Sequence, residues 1–203
     1  MTDPAPNNPA DAQAKLAAGN GRFLSLLRGE GNSLRQINGP EVAELAQGQE
    51  PWAVVLGCAD SRVPTEYVFD CAPGELFVVR VAGNVAHGAQ VGSIEFAVDT
   101  FAPRLVLVLG HTSCGAVKAA LSTEVDEIES ANLAGVVASI KPALQDLQDV
   151  SPAELDQLAT EANVRHSMAQ LRESTILAQA EAQGRIAIIG GVYQLSTGEV
   201  KFL

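Results

Sequence analysis

Trp52-Ala-Val-Val-Leu-Gly57 is a short apolar run without alternation. A strand with one wet face alternates apolar and polar side chains, so an unbroken run of this length reads as a strand covered on both faces, as in parallel sheets. Three similar runs follow: Leu76-Phe-Val-Val79, Leu105-Val-Leu-Val-Leu109 and Ile186-Ala-Ile-Ile189. Between them the periodicity predicts helices at 64–70, 89–101, 114–121, 132–148 and 152–183. Strands alternating with helices give an α/β fold with a mainly parallel central β-sheet flanked by helices. Val192 to Leu203 reads as a strand, a turn at Thr197-Gly198 and an edge strand at the C-terminus. Upstream, Ala12 to Leu27 carries Leu16, Phe23 and Leu27 at helical spacing. Residues 28–39, with Gly29, Gly31, Asn32 and Gly39, read as a loop, and Pro40 opens a short helix reaching Gln47. Residues 1–11, rich in Pro, Asn and Ala, are expected to fray. No repeat or low-complexity tract interrupts the chain, which predicts one domain over 1–203.

Composition narrows the partners. With 47% apolar and 18% charged residues over 203 positions, the chain can bury a large core without disulfide staples. Its net charge of −11 repels phosphate backbones and anionic lipid, so nucleic acid and membrane surfaces are poor partners. No basic and apolar leader stands at the start, and no run approaches a membrane span, which predicts a cytoplasmic protein. The three cysteines, Cys58, Cys71 and Cys114, are too few and odd in number for a disulfide framework.

Open α/β sheets place ligands beyond the carboxyl ends of their strands. Two of these ends carry dense chemistry. Gly57-Cys58-Ala59-Asp60-Ser61-Arg62 follows the first apolar run, and in extended chain Cys58, Asp60 and Arg62 share a face. Gly110-His111-Thr112-Ser113-Cys114-Gly115 follows Leu105–Leu109 and opens a helix. There Cys114 sits near a helix N-terminus, which favours the thiolate that a metal needs. Two sulfurs and one imidazole suit tetrahedral zinc, with the fourth position left for water, the arrangement of a catalytic rather than a structural site. A cysteine is often a small buried hydrophobe. That reading fits Cys71, within Phe69-Asp70-Cys71-Ala72-Pro73, but not two cysteines that each end a buried strand amid polar neighbours. His87 and His166 read as ordinary polar or capping residues.

These residues resemble the β-class carbonic anhydrases, whose members carry Cys-x-Asp-x-Arg followed some fifty residues later by His-x-x-Cys-Gly. The resemblance extends from about Leu16 to Val200 and includes Gly74-Glu-Leu-Phe-Val-Val-Arg80, Ala82-Gly-Asn84, Gly92-Ser-Ile-Glu-Phe96 and Gly190-Gly-Val-Tyr193. It implies one zinc ion per chain on Cys58, His111 and Cys114, and a catalytic dyad of Asp60 and Arg62. It implies substrate contacts from Gln49, Gly115, Phe77 and Ala82. It also implies hydration of carbon dioxide to bicarbonate by zinc-activated water, with Asp60 orienting the nucleophile. The family builds its site at a homodimer interface, often within a homotetramer, with the helix at 12–28 packed on the partner subunit. Two departures stand out. Phe96 replaces a tyrosine of plant members, and Val55 replaces the tryptophan of a regulatory anion pocket whose arginine and tyrosine match Arg80 and Tyr193. Competing readings are a carbon disulfide hydrolase of the same fold, a cysteine nucleophile at Cys114 with His111 as base, and a non-catalytic zinc-binding assembly subunit.

Overall fold

The computed structural model describes residues 4–30, 39–147 and 150–203; most of the expected loop at 28–39 and the first three residues of the expected fraying tail lie outside the described residues. Strands β1 (Ala53–Cys58), β2 (Leu76–Val81), β3 (Leu105–His111), β4 (Ala187–Tyr193) and β5 (Val200–Phe202) form a single sheet in the order β2-β1-β3-β4-β5. The first four run parallel, and β5 pairs antiparallel with β4 at the edge. β1 and β3 are buried along their whole length.

The helices are α1 (Pro9–Leu27), α2 (Gly39–Leu45), α3 (Thr65–Val68), α4 (Gly88–Phe101), α5 (Gly115–Ser122), α6 (Ala131–Ile140), α7 (Pro152–Arg172) and α8 (Thr175–Ala182). Successive side chains of the central strands go to opposite layers. Val54, Leu56, Val106 and Val108 pack with residues of α4, α7 and α8. Ala53, Val55, Leu105, Leu107 and Leu109 pack with Ala12 and Leu16 of α1 and Val68 of α3. A third cluster, built from α5, α6 and Ala159, closes over the carboxyl ends of the strands and includes Cys58 and Cys114.

Several boundaries differ from expectation. α1 starts at Pro9, because the Asn8 side chain accepts from the Asp11 N–H and proline suits the first helical position. Leu27 is exposed at the end of α1, and the second anchor of this helix is instead polar. The buried Asn20 amide donates to the carbonyls of Val68 and Gly198 and accepts from the Val200 N–H at 2.9 Å. This face of α1 is thus seated on its own chain. α6 ends at Ile140, because Pro142 lacks the N–H that a further α-turn needs, and the chain continues as a 3₁₀ turn. The helix expected at 152–183 breaks at Glu173, where Ser174 caps α8 by accepting from the Leu177 N–H.

β4 runs through Gly190-Gly191, where the sequence suggested an interruption. The cause is the close approach of α7. A Cβ at Gly190 would stand 2.7 Å from Val164 Cγ1 and 2.9 Å from Met168 Sδ. Gly190→Ala is therefore expected to cost about 1–3 kcal/mol of stability, the usual cost of overpacking. Denaturant unfolding checks this, and the double variant with Val164→Ala should be less destabilised than the sum of the two single changes.

Candidate metal centre

The chain proceeds from β1 outward to β2, then returns past β1 to β3 on its other side. The crevice between the carboxyl ends of β1 and β3 is therefore the topological switch point of the sheet, where open α/β folds bind ligands. Cys58 is the last residue of β1, His111 the last of β3, and Cys114 the N-cap of α5. Their ligating atoms all lie within 4.8 Å of one another, and all three side chains are buried. Among the described residues no fourth such ligand atom shares this spacing.

The donor set fits zinc. Cys58 Sγ and Cys114 Sγ stand 3.9 Å apart, far beyond a disulfide bond. Two sulfurs each about 2.3 Å from an ion at the tetrahedral angle would stand about 3.8 Å apart. His111 Nδ1 lies 2.9 Å from the Thr112 carbonyl, which fixes the proton on that nitrogen. Its Nε2 is buried with no hydrogen-bond partner. A lone pair directed at two sulfurs in a dry corner is what a ligating imidazole presents. The Cys58 thiol is held well below its ordinary range, first by the bond from Cys114, then by His111 and the backbone of Asp60 and Gly83. Cys114 is pushed up, first by that bond to Cys58 and then by burial. For His111, burial favours the neutral ring, but the adjacent Cys58 and the Thr112 carbonyl outweigh it, so its pKa is raised.

Asp60 and Arg62 form a closed clasp beside the cluster. The Arg62 side chain donates to both carboxylate oxygens, Nε to Oδ1 at 2.9 Å and Nη2 to Oδ2 at 2.6 Å, and its backbone N–H donates to Oδ1 at 2.9 Å. These bonds hold the Asp60 carboxyl far below the usual carboxylate range. Asp60 Oδ2 lies 3.8 Å from His111 Nε2. Arg62 Nη2 also lies 3.3 Å from the Ser113 carbonyl, which ties the two ligand loops together.

Three further side chains shape these loops, and sequence patterns did not single them out for that task. Arg80 donates to the carbonyls of Cys58 and Asp60, at 2.9 and 2.5 Å. Asp156 of α7 accepts the Ser113 N–H with both oxygens, at 2.8 and 3.1 Å. Thr160, one turn later, lies 3.3 Å from the His111 carbonyl. The partners of Asp156 and Thr160 are more than forty residues away in sequence, so no local signal marks them.

The expected substrate residues divide. Ala82 opens the turn after β2 that carries Gly83, next to Cys58, and Gly115 opens α5 with open space where a Cβ would stand. Gln49 and Phe77 are not brought to the cluster by their own chain. Gln49 lies before the first residue of β1, while Cys58 is its last, so the strand separates them by about 16 Å at 3.3 Å per residue. There Gln49 lines a surface cleft of about 570 Å³ with Glu41, Glu44 and Gly74. Phe77 pairs with Val54, four positions before Cys58, and its ring packs against Phe96 and Phe101. Val55 lies in the sheet interior, Tyr193 is buried, and the Arg80 guanidinium is committed to backbone carbonyls. Cys71 donates to the Phe69 carbonyl and is pushed up to about 12 by burial. His87 stands exposed at the N-cap of α4 without a capping bond. His166 lies on α7 with its Nε2 buried and unpartnered.

Residues 53–200 match a family model described as carbonic anhydrase. A carbonic anhydrase of Mycolicibacterium smegmatis is 41% identical over 198 residues, covering 96% of this chain and 93% of its own length. Carbonic anhydrase 2 of Mycobacterium tuberculosis is 39% identical over 193 residues, covering 94% and 91%. Among solved structures, a Coccomyxa β-carbonic anhydrase in complex with acetazolamide superposes with a TM-score of 0.73 at 30% identity, over 79% of this chain and 75% of its own. One of two tetrameric β-carbonic anhydrases of Sordaria macrospora shares the fold with a TM-score of 0.73 at 24% identity, over 81% and 87%.

The ligand geometry generates a direct test. Cys58→Ser and Cys114→Ser are expected to purify with zinc far below one ion per chain, while Cys71→Ser keeps the wild-type content. Metal analysis by mass spectrometry decides it, and a Cys114→Ser protein with stoichiometric zinc removes Cys114 from the set.

Proposed function

The chain belongs to the β-carbonic anhydrase family, and from that premise we propose that it catalyses the reversible hydration of carbon dioxide to bicarbonate and a proton. One observation carries the reading. The unpartnered His111 Nε2 faces two buried sulfurs, and an arginine-clamped carboxylate stands 3.8 Å from that same nitrogen. A structural zinc site has no use for the clamped carboxylate.

Zinc held by Cys58, His111 and Cys114 supplies Lewis-acid activation of water. The remaining work falls to the chain. Asp60 stays ionised because Arg62 donates to both of its oxygens. Its Oδ2, on the side of His111, accepts a hydrogen bond from the attacking water and turns the oxygen lone pair toward carbon dioxide. Attack forms the new C–O bond of bicarbonate, and the proton given up by the water passes to solvent. Arg62 also keeps Asp60 turned away from the cluster, so that the carboxylate orients water rather than displacing it. Gly115 and Ala82 line the approach from this chain.

Gln49 and Phe77 serve the site of a partner subunit in this reading, because each lies toward the amino-terminal ends of the strands in its own chain. The functional unit is then a homodimer, and pairing of dimers would give a tetramer such as the Sordaria proteins are described as forming. Among the described residues no helix is long and apolar enough to cross a membrane. We place this single-domain enzyme in the cytoplasm.

Asp60→Asn should keep its zinc and lose on the order of 10²-fold or more in kcat/KM for carbon dioxide hydration, as removal of a positioned proton-handling group does. Arg62→Ala should fall similarly, by freeing Asp60. Stopped-flow hydration with a pH indicator measures both. Near-normal turnover of Asp60→Asn at full zinc occupancy would take Asp60 out of the mechanism.

A further inference from the structure

We propose that Asp156, supported by Thr160 one helical turn later, is a positioning residue that sets the metal-binding conformation of the loop from His111 to Cys114. The inference rests on the zinc reading above.

The loop has a demanding task. Within four residues it ends β3 at His111, reverses, and caps the start of α5 at Cys114. The reversal is made at Ser113, whose φ of 57° lies in the left-handed region. A residue with a Cβ adopts that region only where its surroundings impose it. What imposes it here comes from α7. Both oxygens of Asp156 accept the Ser113 N–H, at 2.8 and 3.1 Å. The Thr160 hydroxyl, 2.8 Å from the Asp156 carbonyl in its own helix, stands 3.3 Å from the His111 carbonyl. α7 thus holds one peptide group on each side of Thr112, between the two ligands that the loop delivers.

The helix is itself held at a fixed depth. A Cβ on Gly110, one residue before the His111 ligand, would lie 2.6 Å from Val164 Cγ2 and 3.1 Å from Thr160 Cγ2. Only glycine at 110 lets α7 approach the end of β3 closely enough for Asp156 and Thr160 to reach the loop. On the other side, Thr112 is joined to β4 and its continuation, through its N–H to the Tyr193 carbonyl at 3.0 Å and through its hydroxyl to the Leu195 N–H at 3.1 Å. Without Asp156 the Ser113 N–H loses a charge-assisted partner, and the strained residue can relax toward extended backbone. That relaxation would swing Cys114 relative to Cys58. Asp156 bonds the peptide of Ser113 rather than a ligating atom, so it acts through Ser113.

The test compares zinc affinity in metal-stripped full-length proteins, by competition with a chromophoric chelator at neutral pH, and adds the absorption spectrum of the cobalt-substituted forms. Asp156→Ala should bind zinc about 10–100-fold more weakly, the usual effect of losing a group that orients a metal ligand, with altered cobalt d–d bands. Asp156→Asn, which keeps one carbonyl acceptor and the side-chain shape, should fall between it and wild type. Glu154→Gln removes the same charge from the same helix, where Glu154 accepts from Ser151 at 2.6 Å, and should leave zinc affinity unchanged. Wild-type affinity and cobalt bands in both Asp156 variants would overturn the proposal, as would an equal loss in Glu154→Gln. Should Asp156→Ala fail to fold, the isosteric Asp156→Asn decides alone. A wild-type protein that takes up no zinc would instead sink the metal reading itself.

Discussion

Two buried sulfurs 3.9 Å apart cannot both carry charge unless a cation stands between them. At an effective dielectric of about 20 the repulsion of two thiolates at that distance is roughly 4 kcal/mol. The bond between the two thiols pulls Cys58 down, and that same bond, together with burial, pushes Cys114 up. The third member, His111, turns its free nitrogen into the same corner. Much of the surrounding architecture serves to hold this trio in place. Adjacent parallel strands deliver Cys58 and His111 at neighbouring ends, and the N-terminus of α5 delivers Cys114.

In the proposed mechanism, the choice of ligands explains the neighbouring dyad. Two thiolates largely offset the charge of a divalent ion, whereas neutral imidazoles leave it whole, so a sulfur-rich site acidifies water less strongly. A group that orients the water is then worth more. Asp60 fits that role only while it is ionised and pointed, and Arg62 secures both through its three donations. The same guanidinium reaches the Ser113 carbonyl, while Arg80 holds the carbonyls of Cys58 and Asp60. The two ligand loops are thus joined to each other and to β2 by charged donors on peptide oxygens, the stronger class of protein hydrogen bond.

What could be read from sequence was what is local. The unbroken apolar runs at 53–56 and 105–109 announced strands buried on both faces, and the residue types Cys58, His111 and Cys114 at the ends of those runs announced the cluster. What escaped was set by contacts distant in sequence. Gly190-Gly191 lies between the two expected strand runs, and the close approach of α7, not a break, accounts for the glycine at 190. Asn20 carries no local signal for its task, yet it joins α3, the turn before β5 and β5 itself. Asp156 sits in a polar stretch like many others, and only the fold brings it to Ser113. The break at Ser174 was the exception, since a capping serine is a local signal; the helical pattern on both sides masked it.

Gln49 and Phe77 pose the opposite case, residues named by resemblance whose own chain holds them away from the cluster. Their positions are not arbitrary. Phe77 lies on β2, the outer parallel strand, whose far edge is unpaired among the described residues. It packs with Phe101 and with Phe96, a large aromatic left 55% exposed. An unpaired strand edge beside an exposed aromatic ring is a liability for a chain alone in water, and exposed apolar surface of this kind is where partner surfaces dock. The proposed pairing of subunits accounts for both facts at once. It would cover the aromatic face, and it would turn residues stranded near the amino-terminal ends of one sheet into the missing wall of the neighbour's site. In that reading, the metal corner is assembled within one chain because ligand geometry tolerates little error, while the apolar wall, which needs only shape, is left to the partner.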